Sequence, residues 1–254
     1  MMNTPAPNGV SRRRFIGYLI AGSTLIAAAS LDRPNDADAS IPTVQPVDDY
    51  DLSDLLTDAA TPTSGLITVI VNTDGTVAFS LPRAEVGQGI TTAVAMTIAD
   101  ELGVALSKVS ISLSDARSEL VFNQLTGGSN TMHSIYTPVR TAAGAARDQM
   151  TSAAARELGV TRDRLTISDG RVIADDGRSI DFGTLATKAA VTVSRTVPVT
   201  LKDVSAQSIV GTSQGRIDAH DIVTGKKVFA MDMEIPGALP TMVCRPPGIN
   251  GTAL

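Results

Sequence analysis

Tryptophan is missing from this 254-residue chain, and only five Phe and three Tyr are present. With aromatics at 3% and hydrophobic residues at 43%, a buried core must be built from aliphatic side chains. Cysteine occurs once, at Cys244, and histidine twice, at His133 and His220. One thiol cannot hold an iron–sulfur cluster, which takes about four Cys ligands. The set also excludes an ordinary Cys/His zinc site, so no metal ligands are expected here. Cys244 reads as a small hydrophobe or as a residue with no special role. Positive charge is scarce as well: 21 Lys and Arg against 26 Asp and Glu leave a net charge of -5. Nucleic-acid binding selects basic faces, so no nucleic-acid partner is expected. The length suits one large domain or two small ones.

The N-terminus has its own texture. Ser11-Arg12-Arg13-Arg14-Phe15-Ile16-Gly17 resembles a twin-arginine export signal, an apolar stretch runs from Phe15 to Ala29, and Ala37-Asp38-Ala39 offers small residues at a signal-peptidase spacing. The apolar run is short and Gly/Ala-rich for a membrane span. Residues 1–39 therefore read as a signal peptide, with export to the periplasm or cell envelope. That route carries folded proteins, commonly because a cofactor is inserted first. Residues 40–64 are rich in Asp, Pro, Thr and Ala without periodicity and read as a linker, with at most a short turn near Leu52–Leu56.

Order begins at Ile67. Ile67–Val71 and Thr76–Leu81 alternate around an Asp74-Gly75 turn, which predicts a hairpin. Thr91–Leu102 has helical spacing with Gly103 as C-cap, and Val109–Leu113 is a strand. A polar loop covers 114–130. An Ala-rich helix follows from about Thr137 to Leu158, with Pro138 in its first turn; an earlier start would place that proline inside the helix. A second hairpin joins Leu165–Ile167 to Arg171–Ala174, and Phe182–Ala190 is a short helix. Glu101-Leu102-Gly103-Val104 recurs as Glu157-Leu158-Gly159-Val160, each followed by a basic residue and a β-branched strand. The repeat predicts two helix–strand units on one sheet, an α+β layer. After Val191 the chain is Pro-interrupted, and short strands are expected at Val228–Ile235 and Thr241–Cys244, like the opening of a β-rich module.

Two loops carry chemistry. Gly87-Gln88-Gly89 precedes a helix, where free N–H groups and the positive helix end favour an anion and Gln88 adds a donor and an acceptor. A turn that uses glycine for steric reasons alone has the same pattern. It is neither a P-loop nor a complete GxGxxG fingerprint. Thr126-Gly127-Gly128-Ser129-Asn130-Thr131 is a second Gly-rich segment that feeds a helix and offers a similar nest. Two such helix ends could converge on one extended ligand. Arg140 and Arg147 lie on the Ala-rich helix, available to a ligand phosphate or to solvent.

Three blocks, "PRAEVGQGITTAVAMTIADELGV", "TGGSNT…YTPVRTAAGAARDQMTSAAARELGV" and "VTGKKVFAMDMEIPGALPTMVCRPP", resemble in order the molybdopterin-binding large subunit of the xanthine dehydrogenase/aldehyde oxidase family, of isoquinoline 1-oxidoreductase β-subunit type. The resemblance runs from about residue 65 to 247. It implies an α+β fold, a mixed sheet with two covering helices over 65–204, followed over 205–254 by the start of an α/β hammerhead-like domain. It implies cofactor contacts at Gly87, Gln88 and Gly89, and at Gly127, Gly128 and Ser129. Arg216, Asp218 and Thr224-Gly225-Lys226 match the opening motif of the hammerhead and look structural.

The implied cofactor is molybdopterin cytosine dinucleotide, bound only together with the remainder of the large subunit. The other implied partners are a [2Fe-2S] small subunit and a small-molecule N-heteroaromatic or aldehyde substrate. The family's later Gly-rich loop and its Gly-Glu loop, whose Glu acts as base, do not occur in these residues. No catalytic residue is therefore assigned, and Glu85 is not given that role. Two functions remain open: the cofactor-cradle portion of an exported molybdenum hydroxylase, inactive alone, or a non-catalytic exported binding or assembly module, including an inactive remnant.

Overall fold

The computed structural model describes residues 18–19, 25–29, 67–116, 124–189, 199–245 and 248. The twin-arginine residues, Ala37–Ala39 and the expected linker 40–64 lie outside the described residues. The strands in chain order are β1 (Tyr18–Leu19), β2 (Leu25–Ala29), β3 (Ile67–Val71), β4 (Val77–Leu81) and, after helix α1 (Ile90–Leu102), β5 (Val109–Leu113). They form one sheet in the order β1-β2-β3-β4-β5, antiparallel except for the parallel pair β4/β5. The parallel pair needs a crossover, and α1 supplies it. Helix α2 (Thr131–Leu158) packs on α1, β2 and β3. A separate antiparallel sheet, β6 (Leu165–Ser168), β7 (Arg171–Ala174) and β8 (Ser179–Asp181), leads into α3 (Phe182–Ala189). The fold class is the expected α+β arrangement with a mixed sheet.

Alternation decides what the sheet buries. Ile67, Val69 and Val71 on β3, and Val77, Phe79 and Leu81 on β4, all face the core. Fully burying such a side chain contributes about 1.5–3 kcal/mol. Phe79 and Phe182 are the largest of the fully buried side chains, so aliphatic residues make up most of the remainder, as the scarcity of aromatics requires. The alanines of α2 allow close approach. At Gly144 even a Cβ would lie 2.8 Å from Val199 Cγ1.

The apolar stretch read as part of the signal contains β2, whose five residues pair with β3 and whose Leu25 and Ala27 are fully buried. Expectations about the other elements are corrected. Helix α2 starts at Thr131, so Pro138 is inside it; buried Thr131 and Ile135 hold the preceding turns. The two repeated units do not share a sheet, because β5 pairs with β4 whereas β6 pairs with β7. Strand β8 carries too short a pattern to be read from sequence.

Beyond residue 204 no strand forms among the described residues. The expected strand at Val228–Ile235 holds a 3-10 turn at Ala230–Asp232, and 241–244 is irregular. Apolar alternation makes a strand only when a partner covers it, and Met231, Leu239 and Met242 are exposed here. A five-residue helix, α4 (Ala219–Val223), is the one α-helix described in this arm.

Candidate functional site

The Gly-Gln-Gly turn follows the end of β4 and opens α1. Gly89, at φ 79°, is the N-cap, a conformation that glycine adopts without strain. The amides expected to be free are occupied by the chain itself. Glu85 Oε1 accepts from Gly87 N at 2.9 Å and Gly89 N at 3.0 Å, and Oε2 accepts from Thr91 N at 3.2 Å and Thr91 Oγ1 at 3.1 Å. Burial alone would raise the Glu85 pKa. The N–H groups of Gly89, Thr91 and Gly87 more than offset it, and the carboxyl lies below its ordinary value. Glu85 therefore stays an anion, which suits the positive end of α1 and not a proton-accepting role.

Gln88 braces the same turn. Its Oε1 accepts from Val86 N at 2.6 Å and its Nε2 donates to Ala84 O at 2.8 Å. The side chain is exposed, and an amide retains one further donor and one further lone pair after two such bonds.

The second loop meets the first directly. Ala84 N donates to Thr126 Oγ1 at 2.8 Å. Gly127, Gly128 and Ser129 are exposed. Ser129 has φ 56°, uncommon for a residue with a side chain and a mark of a constrained turn. The six residues expected from sequence thus lie on two loops that one hydrogen bond joins, each at the start of a helix.

Two arginines reach these loops: Arg216, which the sequence marked only as structural, and Arg83, which it did not single out. Arg216, reached from 129 residues away, donates from Nη1 to Gly87 O at 2.7 Å, and its Nη2 lies 3.5 Å from Glu85 Oε1. Asp218 accepts from Arg216 Nε at 2.9 Å and fixes the guanidinium. The Arg-x-Asp spacing was the available signal, but nothing in it says which loop it will touch. Arg83 is buried beside the first turn of α2 and donates to Ser134 Oγ at 3.0 Å.

Arg140 and Arg147 turn inward to a carboxylate, Arg147 staying partly exposed. Both bind Glu101, Arg140 Nε at 2.9 Å and Arg147 Nη1 at 2.6 Å, and Lys202 N donates to the same carboxylate at 2.7 Å. Next to it, Asp100 accepts the N–H groups of Ser208, Ile209 and Val210 at 2.8–3.1 Å. The arm therefore runs from Asp100 at one end of α1 to Thr92, where Ile217 N donates to Thr92 Oγ1 at 3.1 Å, and on to the Gly-Gln-Gly turn. A cleft of about 270 Å³ lined by Asp100, Gly103, Ile167, Asp169, Lys202 and Ser208 lies at the other end of α1 from that turn.

Two Gly-rich loops, joined by one hydrogen bond and each opening a helix, mark this α+β domain with its mixed sheet. Residues 41–222 match the family described as molybdopterin cofactor-binding domain, and the chain belongs to that family. It is 32% identical over 180 residues to one of the subunits of nicotinate dehydrogenase from Pseudomonas putida, a match that covers 70% of this chain and 15% of that protein. It is 26% identical over 216 residues to the β-subunit of isoquinoline 1-oxidoreductase from Brevundimonas diminuta, covering 69% of this chain and 27% of that protein. A solved structure, quinoline 2-oxidoreductase from Pseudomonas putida 86, aligns with TM-score 0.38 and 18% identity over 75% of this chain and 24% of that one. The chain spans less than a third of the length of these relatives.

Proposed function

We propose that this chain forms part of the cradle for a molybdenum cofactor, as the cytosine dinucleotide, in a molybdenum hydroxylase acting on N-heteroaromatic or aldehyde substrates. The observation that carries the reading is the Ala84–Thr126 bond, which sets the two Gly-rich loops side by side in a chain of the molybdopterin-binding family. The residues present fit such a group unevenly. The exposed backbone of Gly127, Gly128 and Ser129 and the remaining donor and acceptor of Gln88 are available to it. The amides of Gly87 and Gly89 are engaged by Glu85, so that loop contributes through Gln88 and its shape. When bound, the molybdenum centre supplies the oxygen-transfer and electron-accepting chemistry of hydroxylation. This chain's own residues bind and orient.

The reading places the chain with the remainder of a large subunit and a [2Fe-2S] small subunit. It includes export by the twin-arginine route, resting on Arg12–Arg14 and the apolar stretch. Because β2 is a core strand, the exported chain should retain residues 25–29. N-terminal sequencing of the envelope fraction tests this, and recovery from the cytoplasm alone would end the export reading. A second reading, a non-catalytic binding or assembly module, is favoured by Glu85 filling the amide nest.

The test is cofactor retention. In the complex reconstituted with the remaining subunits, Gln88→Ala should lower molybdenum and pterin content together. Unchanged content would leave the turn as structural.

A further inference from the structure

Arg83 ends β4 just before the Gly-Gln-Gly turn and is 5% exposed. Its Nη2 donates to Ser134 Oγ, whose own O–H donates to Thr131 O at 2.9 Å. Among the described residues, its Nε and Nη1 are buried with no hydrogen-bond partner. The acid nearest in sequence, Glu85, is turned toward Gly87, Gly89 and Arg216. Four residues before Ser134, Asn130 Oδ1 is also buried with no partner among the described residues, and the Asn130 side chain does not cap the helix. Burial lowers the Arg83 pKa to about 10.

A guanidinium buried with two nitrogens unsatisfied is costly. The cost is compounded because the positive end of the 28-residue α2 lies at the same place. Two positive features around Ser134 oppose each other, and an anion between them would make both favourable.

We propose that Arg83 and the first turn of α2, Asn130 to Ser134, receive a phosphate-type oxyanion. Nη2 keeps a second hydrogen beside its bond to Ser134, and with Nε or Nη1 it forms a guanidinium edge that matches an oxyanion's geometry, while the uncapped amides of the helix start add donors. The Asn130 amide completes the set, accepting from a protonated phosphate oxygen as placed or donating when turned over. The adjoining Gly127 and Gly128 are exposed, with nothing within 4 Å of where a Cβ would stand. The oxyanion is either a phosphate of the bound dinucleotide, which rests on the function proposed above, or free phosphate.

The full chain, free of cofactor, is titrated calorimetrically with inorganic phosphate at constant ionic strength, and then with cytidine 5′-diphosphate in competition. Phosphate should bind, and Arg83→Gln should weaken it about tenfold or more, with Arg83→Lys intermediate. Without phosphate, Arg83→Gln should melt no lower than the parent, because it removes an uncompensated buried charge; with phosphate, only the parent should gain stability. Displacement of phosphate by the nucleotide assigns the site to the cofactor's diphosphate. Binding that the nucleotide does not displace assigns it to free phosphate and leaves the cofactor reading to its own test. No phosphate or nucleotide binding, equal binding in Arg83→Gln, or a lower melting point of that variant without phosphate would overturn the proposal.

Discussion

The carboxylate of Glu85 accepts the backbone N–H of Gly89 at 3.0 Å, the N-cap position of α1, so the Gly-Gln-Gly turn carries its own anion. Gly87 and Thr91 complete the cage, and Arg216 closes it from the arm. A pattern that reads as an open anion nest is here an internally neutralised brace.

Glu85→Ala should lower stability by about 2 kcal/mol or more, since charge-assisted hydrogen bonds contribute about 1.5–3 kcal/mol each. It should also empty the nest, so that added sulfate recovers part of the loss. Chemical denaturation with and without sulfate measures both. A variant as stable as the parent would mean that the turn holds its shape without the carboxylate.

The two copies of Glu-Leu-Gly-Val should respond unequally. Glu101 is 1% exposed and held by Arg140, Arg147 and Lys202 N. Glu101→Ala leaves two arginines without their counter-charge and should cost about 3–5 kcal/mol. Glu157 pairs with Lys188 at the surface, and Glu157→Ala should cost no more than about 1 kcal/mol. Equal losses in denaturant melts would refute the distinction.

Docking of the arm should depend on pH through Asp100. Burial by itself raises its pKa, and the N–H groups of Val210, Ile209 and Ser208, with Lys202, more than reverse this, leaving it below 3.8. A depressed folded pKa contributes stability above the unfolded value that is lost as pH falls through the folded one. Amides of Ser208 to Val210 should therefore be protected from hydrogen exchange at neutral pH and lose protection below about pH 4. Asp100→Asn should lose that protection at neutral pH. Protection that persists in the variant would show that other contacts hold the arm.

Much of the fold was legible because it is local. The period-two runs around Asp74-Gly75 and Asp169-Gly170 and the stops at Gly103 and Gly159 each set an element within a few residues. The start of α2 was not, because Pro138 is a strong local signal and burial of Thr131 and Ile135 overrides it. The strands expected at Val228–Ile235 and Thr241–Cys244 failed for the converse reason: a sound pattern with no partner strand among the described residues.

For the site, sequence alone determined the residue types and their order: two Gly-rich turns each opening a helix, an aliphatic core, and no cluster of Cys or His for a metal. Those follow from backbone freedom and from composition. Only the tertiary structure decided that Ala84 ties the turns together, that Glu85 occupies the amides of the first, that Arg140 and Arg147 turn inward to Glu101, and that Arg83 is buried with two nitrogens unpartnered among the described residues. Each of these is a pairing across the chain or a desolvation, and neither has a local signature, because a charge carries no mark of which partner will reach it once water is excluded.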